Sequence, residues 1–152
     1  MLPSTTARVP LHTSACSNEA IHRQTEEKVA QVAAAGSEAI ERRLRELDRE
    51  WDIERSLEAN AASVGLIGLG LGAFVSRRFY ILPGLVCGFL LQHALQGWCP
   101  PVPIFRRLGF RTASEIDHER YALKALRGDF RPSSEENGGR MDTHQALEAA
   151  RR

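Results

Sequence analysis

Residues 60–101 read NAASVGLIGLGLGAFVSRRFYILPGLVCGFLLQHALQGWCPP, and how this stretch is read decides the fold. From Ala59 to Ser76 no charged residue occurs over 18 positions; after Arg77 and Arg78 a second charge-free run extends from Phe79 to Phe105. At about 1.5 Å per residue, eighteen helical residues span roughly 27 Å, close to one hydrocarbon core. In the second run Pro83 suits the first turn of a helix and Pro100-Pro101 cannot continue one, which predicts a second helix of the same length over 82–99. SRRFYI is then the tight turn. Phe79 and Tyr80 would sit at one membrane interface and Trp98 at the other, where amphipathic rings are favoured. The competing reading is a hairpin buried in a soluble bundle. A chain of 152 residues offers little to cover two helices that are apolar all round.

The flanks are different in kind. The mean hydropathy of −0.29 is that of a soluble protein. That average hides charged residues concentrated outside the two runs, the compositional split of a membrane protein with polar ends. A net charge of +1 gives no argument for nucleic acid as a partner. Cys16, Cys87 and Cys99 are odd in number and far apart, which fits neither a disulfide framework nor a zinc cluster. The five histidines show no pair at ligand spacing, and no cofactor is implied. His93 could bind a haem, but no second ligand is visible, and a hydrogen-bonded histidine is the simpler reading.

Residues 1–17, rich in Ser, Thr and Pro, read as a disordered leader without the apolar core of a signal peptide. Residues 18–58 read as a polar, amphipathic helical arm. Ser37 is placed to cap a helix in which Ile40, Leu44, Leu47 and Trp51 form one stripe, facing either a coiled-coil partner or lipid headgroups. The hairpin occupies 59–105, and 106–130 form a basic segment and a helix. Thr112 and Glu115 have capping-box spacing, Gly128 can close that helix, and Ile116, Leu123 and Leu126 are its docking residues. Residues 131–152 read as a flexible tail whose end, MDTHQALEAARR, is at most transiently helical. The fold class is all-α: a two-helix transmembrane hairpin flanked by amphipathic cytoplasmic helices and disordered termini.

Within lipid, helices associate through close backbone approach and interhelical hydrogen bonds. Ala61, Gly65, Gly68, Gly72 and Ser76 fall on one face of the first span; Gly84, Gly88, Gln92 and Gln96 form a stripe on the second. These stripes are the expected helix-packing sites, between two copies in a homodimer or larger assembly, or within one hairpin. Gln92 and Gln96 could instead line a polar path. Cys99, at the end of the second span, lies at the negative end of a helix dipole. That disfavours a thiolate, although Arg106 and Arg107 could offset it. It stands as a possible thiol site, and Cys87 as a packing residue.

DIERSLEANAASVGL, the glycine-rich span, the turn and GWCPPVPIFRRLGFRT together resemble the YgaP-like transmembrane domain, a small bacterial inner-membrane module whose second span ends in Gly-x-Cys-Pro. The resemblance covers about residues 51–112 and implies a helical hairpin that can dimerise. Some members also carry a cytoplasmic rhodanese domain linked to sulfur handling. This chain has neither a βαβ region nor a glycine- and arginine-containing anion loop after a cysteine, so sulfurtransferase activity is not carried over. Two functions remain. One is a non-enzymatic membrane anchor or assembly module that binds a cytoplasmic protein through residues 38–58 and 114–127. The other is an accessory in sulfur-compound (thiocyanate- or sulfide-type) transport or relay using Cys99. Arg42, Arg43, Arg45, Arg49 and Arg55 precede the hairpin and Arg106, Arg107 and Arg111 follow it, against Arg77 and Arg78 in the turn. This asymmetry places both termini in the cytoplasm.

Overall fold

The computed structural model describes residue 4 and residues 7–129, and among these the chain is all-α, with seven helices and no strand. They are α1 (Arg8–Leu11), α2 (Ala15–Ala34), α3 (Ser37–Leu47), α4 (Ile53–Phe74), α5 (Ile81–Gln96), α6 (Val102–Arg107) and α7 (Ala113–Arg127). One 3₁₀ turn, Arg77–Tyr80, joins α4 to α5. The expected flexible tail and its MDTHQALEAARR end lie outside the described residues.

The long helix α4 begins where Asp52 caps it: the Asp52 carboxylate accepts the Arg55 N–H at 2.6 Å. It then runs for 22 residues, about 33 Å, without a break between the polar arm and the first span. The expected boundary near residue 58 therefore falls inside one helix. α5 packs back along α4, so the hairpin is present. Both segments are long and apolar enough to cross a membrane, with only 17% of the best apolar window buried in Ile53–Phe74 and 6% in Arg77–Gln96.

The glycines explain how the hairpin closes. A Cβ added at Gly68 would lie 2.7 Å from Pro83 Cδ, and one at Gly72 would lie 2.6 Å from the Tyr80 ring. These two positions are the close approach within one chain. Gly65, Gly84 and Gly88 have nothing within 4 Å of that position and face open space. The first stripe is thus divided: Gly68 and Gly72 zip the hairpin near its turn, while Gly65, like Gly84 and Gly88 of the second stripe, packs against nothing.

The polar flanks fold together. α2 and α3 both pack on α7, and Val32, Ala39, Ile40, Leu44, Leu47, Ile116 and Leu123 form a shared core. The Thr112–Glu115 capping box forms and Gly128 closes α7, as the spacing indicated. Four details differ. Ser37 does not cap α3; Gly36 holds that position, and no side chain caps it. Trp51 leaves the stripe because α3 has already ended at Leu47; it is exposed, with the Arg55 guanidinium 4.2 Å over its ring. Ile116 and Leu123 pack inside the chain rather than on a partner or the membrane surface, with the buried Glu119 between them, while Leu126 is exposed.

The largest correction concerns the leader. Residues 8–17 are helical or capping, not disordered: Ser14 caps α2, and Val9 is buried with Ile53, Leu57, Cys99 and Val102. One apolar side chain docked on the hairpin base, plus hydrogen bonds from Arg8, holds a segment that composition alone marks as loose.

If Gly68 and Gly72 close the hairpin internally, Gly68→Val and Gly72→Val should each lower stability in detergent by about 1–3 kcal/mol, as overpacking does. Gly88→Val should have little effect, because its Cβ meets nothing. Thermal melting followed by circular dichroism checks this order.

Candidate functional site

Two groups of side chains converge where the hairpin meets the helical domain. The first surrounds the end of α5. Gln96 ends the helix and Gly97 adopts φ 82°, with its N–H donated to the His93 carbonyl at 2.7 Å. A Cβ there would also come within 2.5 Å of the Arg8 carbonyl, so glycine is required twice over. Arg8 donates to the Ala94 carbonyl at 3.0 Å and to the Glu54 carboxylate at 2.7 Å. The N-terminal segment is thereby tied to both legs of the hairpin. His93 is buried, and neither ring nitrogen has a hydrogen-bond partner. Among the described residues no three His, Cys, Asp or Glu side chains gather in a metal-binding arrangement.

Cys99 is not in the last turn of α5. It follows the helix, in the turn that leads through Pro100 and Pro101 into α6. What keeps it quiet is burial. The residue is 4% exposed among apolar neighbours, and burial pushes its thiol up by more than the Val102 N–H pulls it down. Cys16 and Cys87 are exposed. Of the other sequence-derived packing residues, Gln92 is half-buried and Gln96 exposed. They continue the outward face of Gly84 and Gly88 and do not meet Gly68 and Gly72.

The second group is ionic, and sequence reasoning missed it. Arg111, counted only as a juxtamembrane charge, is buried and donates two hydrogen bonds to Glu50, at 2.8 and 2.7 Å. It also donates to Glu119 and to the Thr25 hydroxyl, and its backbone carbonyl accepts the Ile53 N–H at 2.8 Å. Arg43 reaches the same Glu119 carboxylate at 2.7 Å. Nearby Arg106, 1% exposed, forks onto Glu115 at 2.6 and 2.8 Å and donates to Asn18 and the Phe110 carbonyl. The available signal was the 3.6-residue period of α7: Glu119 lies three residues after Ile116 and four before Leu123, inside the buried stripe.

The two carboxylates behave alike. Burial alone pushes Glu119 up, but the hydrogen bonds and charges of Arg43 and Arg111 outweigh it and hold the carboxyl below the usual range. Burial likewise pushes Glu115 up, and the Arg106 fork, the Thr112 N–H and the Arg106 charge hold it below that range. These ion pairs hold the fold together: both carboxylates are held by arginine hydrogen bonds, and Arg43, Glu50, Arg111 and Glu119 also line a cavity of about 210 Å³ with Lys28 and Gln24.

Compared with known protein families, with curated proteins and with solved structures, the chain matches none.

A carboxyl whose folded pKa is depressed stabilises the fold above its unfolded value, about 4.3, and loses that contribution as pH falls toward the folded value. The helical domain should therefore melt at lower temperature as pH drops from about 5 to about 3. Glu119→Gln, which leaves Arg43 and Arg111 sharing Glu50, should cost about 3 kcal/mol at neutral pH and flatten that acid dependence. Melting curves of both proteins across this pH range check the expectation.

Proposed function

We propose that the chain is a non-enzymatic integral membrane protein, an anchor or assembly module whose α4–α5 hairpin crosses the bilayer and holds the helical domain at its surface. The observation that carries this reading is the exposure of the hairpin's apolar side chains. Leu66, Ile67, Phe74, Ile81, Leu85 and Leu91 are 52–91% exposed, on two helices of spanning length. Buried core helices of a soluble protein hide such residues; here the rest of the fold reaches only the hairpin base.

Packing of α2 and α3 on α7 supports a shared side for the two flanks of the hairpin. The arginine asymmetry makes that side the cytoplasm of a bacterial inner membrane, in keeping with the YgaP-like resemblance of residues 51–112. Arg43, Arg106 and Arg111 are tied up in ion pairs once the domain folds. Their part in orientation belongs to insertion, before folding. The exposed Arg/Glu surface of α3 is where a cytoplasmic protein would bind. Self-association uses the outward Gly84/Gly88 face, since Gly68 and Gly72 are occupied within the chain. The buried Cys99 favours a packing role over sulfur relay.

Carbonate extraction tests the membrane assignment: the protein should stay in the pellet, and recovery in the supernatant refutes it. For self-association, Gly88→Ile should shift the sedimenting species toward monomer in mild detergent with helicity unchanged. An unaltered size would rule out that face.

A further inference from the structure

The hairpin is closed at both ends and open between them. Toward the turn, Gly68 and Gly72 bring α4 against Pro83 and Tyr80. At the base, Leu57 meets Cys99 in a buried cluster. In between, the helices leave a cavity of about 240 Å³, walled by Ala61 and Val64 of α4 and by Phe89 and Leu90 of α5. Its floor is the Cys99-Pro100-Pro101 turn, and Asn60 is the polar side chain on its rim.

We propose that this cavity holds one acyl chain of a membrane lipid, inserted between the two spans with its ester group level with Asn60. The proposal rests on the membrane reading above. Three observations favour this occupant. The cavity lies between helices whose outer faces, at Leu66, Ile67 and Leu95, are exposed apolar surface that hydrocarbon would cover, so lipid is its neighbour. Water is a poor filler, because an ordered water needs two to four polar partners and the walls are apolar apart from the carboxamide of Asn60. An empty gap forfeits the dispersion contacts of its lining, whereas a flexible hydrocarbon tail restores them without moving either helix. Asn60, on the rim, suits the polar end of the inserted acyl chain, its ester carbonyl, which can accept the Asn60 side-chain N–H. The tail would then lie along Val64 and Leu90 toward the Gly68 closure.

The test uses the full chain in vesicles of phosphatidylethanolamine and phosphatidylglycerol doped with a phosphatidylcholine carrying a mid-chain diazirine. After photolysis, adducts are mapped by mass spectrometry. Labelling at Ala61, Val64, Phe89 and Leu90 should exceed that at the outward-facing Leu66, Ile67 and Leu85 several-fold. Ala61→Phe, which fills the gap, should remove the groove adducts and spare the outward ones. Leu90→Ala, which widens it, should increase them, so the idea stays testable if the larger side chain prevents folding. Groove labelling no greater than at Leu66 and Ile67 in the wild-type protein overturns the acyl-chain site while leaving the membrane assignment intact. Absence of adducts everywhere on the hairpin overturns the membrane assignment itself.

Discussion

Arg111 ties the start of α4 to α2, to α7 and to the segment before the hairpin. Its carbonyl receives the first N–H of α4, its guanidinium spans Glu50 just before that helix and Glu119 on α7, and it reaches Thr25 on α2. A buried guanidinium is tolerated only when its donors are nearly all used, because the desolvation of an unpaired charge costs several kcal/mol. Satisfying Arg111 therefore requires the segment that enters the hairpin and the segment that leaves it to be brought to one place. The Arg106–Glu115 fork and the Arg8 contacts to Glu54 and Ala94 repeat that requirement nearby. The base of the hairpin is held by charge and the hairpin by shape.

That division follows the two solvents the chain is suited to. Toward the turn, the helices have no hydrophobic reason to associate in lipid, and contact depends on removing side chains so that backbones can approach. Gly68 and Gly72 do this against Pro83 and Tyr80. Beyond the hairpin base an ordinary apolar core forms between α2, α3 and α7. Cys99 sits at the border, enclosed by Val9, Leu57 and Val102, and its chemistry is subdued by the packing that makes the border tight.

The hairpin was legible in the sequence because its signal is long and local: two charge-free runs of spanning length, a basic turn and terminal prolines. The α7 cap was legible for the same reason, since Thr112 and Glu115 are three residues apart. What could not be read depends on partners far along the chain. Val9 is one apolar residue in a Ser/Thr/Pro-rich segment, and only the presence of Ile53 and Cys99 beside it makes it ordered. Arg106 and Arg111 looked like free juxtamembrane charges because their acids lie on other elements. α6 was missed although Pro101 and Pro103 flank its first residue, a place where proline favours a helix start. The glycine stripes were half legible: spacing identified the faces, but not that only Gly68 and Gly72 close the hairpin while Gly65, Gly84 and Gly88 are left without a neighbour.

The central claim, that the hairpin lies in hydrocarbon while its base lies in water, is tested most directly by depth. Nitroxides placed singly at Leu66, Leu91, Arg78 and Arg107 in vesicle-reconstituted protein report their access to oxygen and to a water-soluble nickel chelate. High oxygen and low nickel access at Leu66 and Leu91, reversing at Arg78 and Arg107, is the predicted result. Nickel access at Leu66 and Leu91 equal to that at Arg107 would contradict the account.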